Sequence, residues 1–504
     1  MLFPTMTFAL FFVVVLGVSW KLNDRPTDWK LFVLGASYVF YGWADWRFCF
    51  LLAGSTIGNW VLAQAVFRSR NDINRKRWML CAVGLNLIVL GFFKYYGFFV
   101  ESALGVLEPL GLAATPMLIK VALPVGVSFF TFCAISYVVD VFRRHHDTVK
   151  LLDFAVYLSF FPHLVAGPIV RVSEFVPQIT HRPSGQSVDV TRAARLICRG
   201  MFKKVVIANF LATAIVDPLF VAPGQFRNWE LLVGAWAYAV QIYADFSGYT
   251  DIAIGIALLM GVKFPDNFDQ PYSARSIQDF WRRWHMTLSR WLRDYLYIPL
   301  GGNRGGPNAE YRNLFLTMLL GGLWHGASWT FIIWGAYHGM GLVLERRHAV
   351  QVEARLASAD TPELRLADDS DESANPEETQ VMQRATPSVV STETMNPWLA
   401  RLLVFHFVVV GWIFFRSTSV TGALEYFWSL ITNWGVGSLV TPLVLLAIFV
   451  GMIGQFIPRR IGDALEYRVS QLPPIVMAVG IGVFLLVINL LGPQGVAPFI
   501  YFDF

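Results

Sequence analysis

Leu319-Leu320-Gly321-Gly322-Leu323-Trp324-His325-Gly326-Ala327-Ser328-Trp329-Thr330-Phe331-Ile332-Ile333-Trp334 contains one ionisable side chain, His325, within an apolar run that continues on both sides to membrane-crossing length. An imidazole placed there loses water and gains little packing, and a titratable group inside a membrane segment marks chemistry by default. Gly321, Gly322, Gly326, Ala327 and Ser328 leave room beside the ring for a ligand or another backbone.

The composition agrees. Hydrophobic residues make up 55% of the 504 and charged residues 15%, with a mean hydropathy of +0.50. The chain is far more apolar than a soluble domain, which predicts an all-α, polytopic membrane protein. Apolar stretches recur from residue 5 to residue 492, and at about 20 residues per span they predict roughly eleven to thirteen membrane segments, with interfacial and re-entrant helices among them. The first stretch lacks a basic start and a small-residue cleavage site, so it reads as a retained helix. Cys49, Cys81, Cys133 and Cys198 have neither disulfide nor zinc spacing, and no metal site is expected.

Lys and Arg set the orientation. Arg68, Arg70, Arg75, Lys76 and Arg77 place the 68–77 loop in the cytoplasm, and the basic stretches 143–150 and 263–312 join it there. Counting back three spans puts the N-terminus on the opposite side. The net charge of +5 reflects this bias, and no nucleic-acid motif accompanies it. Residues 1–350 read as a membrane core and 397–504 as further helices of the same domain. Between them 351–396 is acid-rich, with Asp368-Asp369-Ser370-Asp371-Glu372, and is expected to be a disordered cytoplasmic loop. There is no internal repeat of the kind that secondary transporters carry.

The densest charged and aromatic region runs from Phe264 to Arg304. Ser276 followed by Asp279 predicts a helix start near Ile277. From there Trp281, Trp284, Leu288 and Trp291 share one face, and Arg282, Arg283, Arg290 and Arg293 fill much of the rest. This pattern predicts one amphipathic helix at the membrane interface, with His285 turned inward and the arginines meeting phosphates of a donor or of lipid headgroups.

Three stretches stand in the order found in membrane-bound O-acyltransferases: Tyr243-Ala244-Asp245-Phe246-Ser247-Gly248-Tyr249-Thr250-Asp251, Asp279-Phe280-Trp281-Arg282-Arg283-Trp284-His285 and Leu323-Trp324-His325-Gly326. The chain resembles that family over nearly its whole length, the acidic loop excepted, and within it most resembles the membrane subunits of bacterial alginate O-acetyltransferases. Phe160-Phe161-Pro162-His163, Val410-Gly411-Trp412-Ile413-Phe414-Phe415-Arg416 and Pro498-Phe499-Ile500-Tyr501-Phe502 add to the likeness, although His163 stands where the alginate subgroup is expected to carry Gln.

The resemblance implies that His325 is the essential histidine and His285 the second, more variable polar position. It implies an O-acetyltransferase of alginate biosynthesis in the bacterial inner membrane, using acetyl-CoA or another acetyl thioester and holding no bound cofactor. It also implies partners: membrane lipids, periplasmic SGNH or serine-esterase-like acetyltransferases, and a polysaccharide acceptor reached directly or by relay.

The chemistry is consistent with this. Transfer from a thioester to an alcohol needs a group that removes the hydroxyl proton, and a neutral imidazole serves. His325 as a covalent acyl carrier is the second route. His285 could orient the donor, share the proton or stabilise the oxyanion. Arg282, Arg283 and Trp324 are candidate donor-binding residues. Asp245 and Ser247 are candidates for a polar tunnel wall, with a structural network between helices as the favoured reading. Packing is likewise favoured for Trp324, Trp329, Trp334 and Tyr337, and snorkelling or capping for His338. The alternatives are a D-alanyl or other acyl transferase acting on a different wall polymer or exopolysaccharide, and a polysaccharide or lipid-linked sugar transporter.

Overall fold

The computed structural model describes residues 1, 3–111, 122–183, 185–359 and 395–491. Every regular element among the described residues is helical. Among the described residues, five helices are long and apolar enough to cross a membrane: Arg47–Arg68, Asp72–Leu110, Val190–Val221, Asn228–Leu259 and Pro397–Arg416, with a sixth if the bent pair Arg460–Ser470 and Ile475–Ile488 counts as one span. Met6–Lys21, Val127–Phe142 and Pro442–Ile453 are apolar but shorter. The expected segments included interfacial and re-entrant pieces, and these shorter apolar helices are among the stretches that hydropathy picked out. Others are interrupted by wide turns, such as Gly91–Tyr95 and Phe202–Ala208.

The ends follow ordinary rules. Pro26, Pro307, Pro397 and Pro442 each open a helix where a missing N–H costs nothing. Asn71, Asp189 and Asn396 accept backbone N–H groups as caps.

Asn228–Leu259 is the central post, buried around nearly its whole circumference. It crosses Val190–Val221 closely, because a side chain at Gly200 or Gly248 would meet the facing backbone oxygen at 2.5 or 2.8 Å. A second tight pair is the hairpin of Pro307–His325 and Trp329–Ala359, where a Cβ at Gly322 would lie 2.4 Å from the Phe331 carbonyl oxygen. Trp412 of Pro397–Arg416 packs on Trp284 and Trp334, with ring centroids 5.0 and 5.9 Å away. The C-terminal helices thus share the core of the N-terminal ones.

Two expectations are corrected. Trp329–Ala359 stays helical past residue 350, where the acidic loop was expected to begin; 360–394 and the 498–502 motif lie outside the described residues. The amphipathic helix expected from Ile277 is two helices, Ile277–Arg283 and Met286–Leu292, separated by an extended Trp284 and a left-handed His285 at φ 43°. Periodicity could not reveal this break, since both halves keep the same apolar spacing across it.

The basic stretches meet on one side of the molecule. Arg75 donates to the Phe142 carbonyl at 2.6 Å, and Arg143 donates to that of Asp294 at 3.0 Å. Arg171 pairs with the Asp294 carboxylate. Burial pushes that carboxyl up, but hydrogen bonds from Arg293 and Arg171 outweigh it and hold it below the usual carboxylate range.

Candidate active site

His325 is the last residue of Pro307–His325, and Gly326 leaves the helix in an extended conformation. The terminal carbonyls are closed by a neighbouring helix. Lys94 Nζ donates to Trp324 O at 2.6 Å and His325 O at 2.9 Å, and Tyr95 Oη donates to Leu323 O at 2.8 Å. A cation at a helix C-terminus also complements its dipole. Lys94 and Tyr95 were not singled out from the sequence, although a lysine in Gly91-Phe92-Phe93-Lys94-Tyr95-Tyr96 is itself an intramembrane charge.

The His325 ring is 3% exposed and walled by Trp324, Trp334 and Phe415, with centroids 4.9, 5.0 and 5.3 Å away. Two cavities reach it. The larger, about 750 Å³, lies between Met286–Tyr297 and the hairpin; Arg282, Arg290, Arg293 and Arg346 line it together with Ser289 and His325. The smaller, about 70 Å³, is lined by Lys94, Ser128, Phe129, Trp324 and His325, among others. His325 therefore stands at the boundary between an arginine-rich chamber and a small pocket.

The arginines are not equivalent. Arg290 is held by Glu174 through two contacts at 2.6 and 3.0 Å, Arg293 by Asp294 at 2.7 Å, and Arg346 by Glu310 at 3.0 Å. Arg282 is exposed and has no ion pair among the described residues, so it is the cation on this wall with its charge uncommitted. Arg283 pairs with Asp279 at 2.7 Å and does not line the chamber.

His285 is wholly buried, against Phe246 at 4.6 Å and Trp324 at 6.4 Å between ring centroids. It lies on the wall of neither cavity, and the Trp324 ring contacts both histidines. The inward turn expected for His285 is what the backbone break achieves. Asp245 and Ser247 are elsewhere. Asp245 pairs with Lys204 at 2.5 Å, Ser247 accepts from Lys203 at 3.1 Å, and Asp251 binds Arg199 and Lys203, so this set ties two helices together outside both cavities. His338 does not snorkel: it is fully buried among Trp281, Trp334 and Phe407.

Comparison with known proteins gives the family. The model of MBOAT, the membrane-bound O-acyltransferase family, matches residues 129–354, which include both histidines and the arginine-lined chamber. A protein of Pseudomonas aeruginosa named "Probable alginate O-acetylase AlgI" is 40% identical over 462 residues, covering 87% of this chain and 79% of that one. One of the same name from Pseudomonas putida is 45% identical over 339 residues, 67% of this chain and 69% of the relative. A peptidoglycan O-acetyltransferase of Helicobacter pylori is 33% identical over 452 residues, with 84% and 78% covered. The transporter alternative finds no support here, and the chain belongs to the membrane-bound O-acyltransferase family, as a multi-pass membrane O-acyltransferase.

Proposed function

We propose that the protein takes acetyl groups from a cytoplasmic acetyl thioester, acetyl-CoA first among them, and passes them across the bacterial inner membrane for O-acetylation of an exported polysaccharide, alginate first. The observation that carries this reading is the arginine-lined chamber ending on His325. Phosphates of the donor bind the mouth, Arg282 above all, and the thioester reaches the imidazole. The basic side faces the cytoplasm by the positive-inside rule, which leaves the N-terminus periplasmic. The relatives named alginate O-acetylase support the acceptor class, and O-acetylating relatives that match 87% and 84% of the chain favour acetyl over D-alanyl transfer.

In the reaction, the acceptor oxygen attacks the thioester carbonyl as His325 takes its proton; the C–S bond then breaks and the thiolate regains a proton. A covalent acetyl on His325 splits the same step in two. His285 supports the transfer from behind Trp324. The acceptor is a serine-esterase-like periplasmic partner or the polymer itself. With the partner, efficient modification of long polymer needs both proteins.

The test uses purified protein in proteoliposomes with labelled acetyl-CoA and a short acceptor or the partner. Acetylation of either supports the reading, while transfer only from a D-alanyl carrier protein would replace it. Arg282→Ala is expected to raise KM for acetyl-CoA about tenfold with kcat little changed, the loss of one charge-assisted contact. Arg283→Ala, whose charge is already paired, should stay within about twofold. Equal effects in initial-rate measurements would contradict the assignment.

Lys94→Met leaves the carbonyls of Trp324 and His325 without their donor. The expected result is a kcat lower by about tenfold, from one to two kcal/mol of lost hydrogen bonding at the end of the helix that bears His325. An unchanged kcat in the same assay would remove Lys94 from the site.

A further inference from the structure

Asn267 lies at the break between Ile277–Arg283 and Met286–Leu292 and is 1% exposed. Its backbone oxygen accepts from Met286 N at 2.9 Å. Its side-chain Oδ1 is 3.1 Å from Thr287 N, 2.9 Å from Thr287 Oγ1 and 3.1 Å from His285 Nδ1. A backbone N–H can only donate, so the amide oxygen and not the amide nitrogen must face Thr287. Thr287 Oγ1 already accepts from Ile169 N at 3.0 Å, which leaves its proton for the same oxygen. The third contact must therefore be a donor too, since an amide oxygen has no proton to give. His285 carries its proton on Nδ1. That leaves Nε2 as a bare lone pair in a wholly buried ring, with no hydrogen-bond partner among the described residues.

The backbone points the same way. A left-handed histidine costs on the order of 1 kcal/mol or more and persists only where its surroundings impose it. Here Asn267 supplies the restraint, with contacts to three consecutive residues, 285 to 287.

We infer that Asn267 is a positioning residue that locks His285 in the Nδ1–H tautomer and so commits Nε2 to accepting a proton, not to donating a hydrogen bond to the oxyanion. This rests on the reading that His285 takes part in transfer. Of the three tasks open to His285, the tautomer removes donation to the oxyanion. Of the two that a bare Nε2 can serve, orienting the donor and sharing the proton load, His285 in this proposal takes the second, with the proton reaching it through His325, which lines both cavities. The acceptor O–H bond breaks and its electron pair forms the C–O bond to the acetyl carbon. The C–S bond breaks with its electrons on sulfur, and the proton held on the histidines returns to that thiolate. Asn267 Oδ1 faces the Nδ1–H of the imidazolium while the proton is held.

Two measurements test this. In membranes containing histidine-15N-labelled protein, the signals present in wild type and missing in His285→Gln should show a protonated Nδ1 and an unprotonated Nε2. The reverse tautomer would overturn the proposal, and this reading needs no variant of Asn267 to fold. Asn267→Asp keeps an acceptor facing Thr287 and His285 but adds a negative charge that favours the imidazolium. The acidic limb of its pH–rate profile should move up by about one unit, and the shift should vanish in the residual rate of the His285→Ala, Asn267→Asp double variant. If Asn267 only capped the helix, Asp would serve equally well and the profile would stay in place, which would overturn the proposal. Full activity of His285→Ala would instead sink the participation of His285 itself, an outcome the single variant separates from the other.

Discussion

His325→Ala should lower acetyl transfer by about a hundredfold to ten-thousandfold, the range for removal of a general base, while the protein still inserts and accumulates in the membrane. The two halves of this expectation come from different features. The ring sits where both cavities end, so its loss removes the one imidazole on the walls of both. Its packing partners Trp324, Trp334 and Phe415 also contact one another or further aromatics, including Trp334 with Phe415 at 5.3 Å, so the layer around the gap persists. His325→Gln fills more of the space without supplying a base of comparable strength and should be equally inactive. KM for acetyl-CoA should change little in either variant, because Arg282, the cation proposed to bind its phosphates, is left in place. Initial rates in proteoliposomes and a thermal melt of the purified protein decide it. Transfer within about fivefold of wild type in a well-folded His325→Ala protein would rule out both the base and the acyl-carrier routes. Parallel double-reciprocal lines for the wild type would favour the carrier.

Much of this site was legible from residue types alone. A lone histidine in an apolar run, flanked by glycines, pointed to the residue on which both cavities end, and of the arginines singled out near tryptophans Arg282, Arg290 and Arg293 line the larger cavity, whereas Arg283 does not and the lining Arg346 was not among them. What periodicity could not give was the break at Trp284–His285, because a helix and an interrupted helix share the same spacing while contacts from Asn267, in the loop before the first helix, impose the turn. Nor could it rank the arginines. Arg282 and Arg283 are adjacent and chemically identical, and only the i to i+4 pairing of Asp279 with Arg283 leaves one charge free and the other engaged. Asp245 and Ser247 sit in the most family-like motif, yet their partners Lys204 and Lys203 lie in a stretch that the motif does not mention. Lys94 was hidden differently: its role depends on a contact with a helix terminus more than two hundred residues away.

Gly322→Val is expected to cost as much as losing a catalytic group, although it adds no charge and removes none. The added Cβ would stand 2.4 Å from the Phe331 carbonyl oxygen and 2.9 Å from Gly335 Cα. Both obstacles are backbone, so no rotamer change relieves them and the two helices of the hairpin must part. Overpacking of this kind typically costs about 1–3 kcal/mol of stability. The catalytic consequence is larger, because His325 lies one turn further along the same helix, and a displacement of about 1 Å at a reacting group can cost about a hundredfold in rate. Gly321→Ala is the control: its Cβ would meet only Leu292 Cδ1, at an ordinary 3.4 Å, and should leave the rate within about twofold. A lower melting temperature together with at least a hundredfold rate loss in Gly322→Val, against near-normal Gly321→Ala, would show that the close approach of the helices, and not the smallness of the residues as such, holds His325 between its two cavities. Wild-type rates in Gly322→Val would mean that the hairpin can open without moving the imidazole.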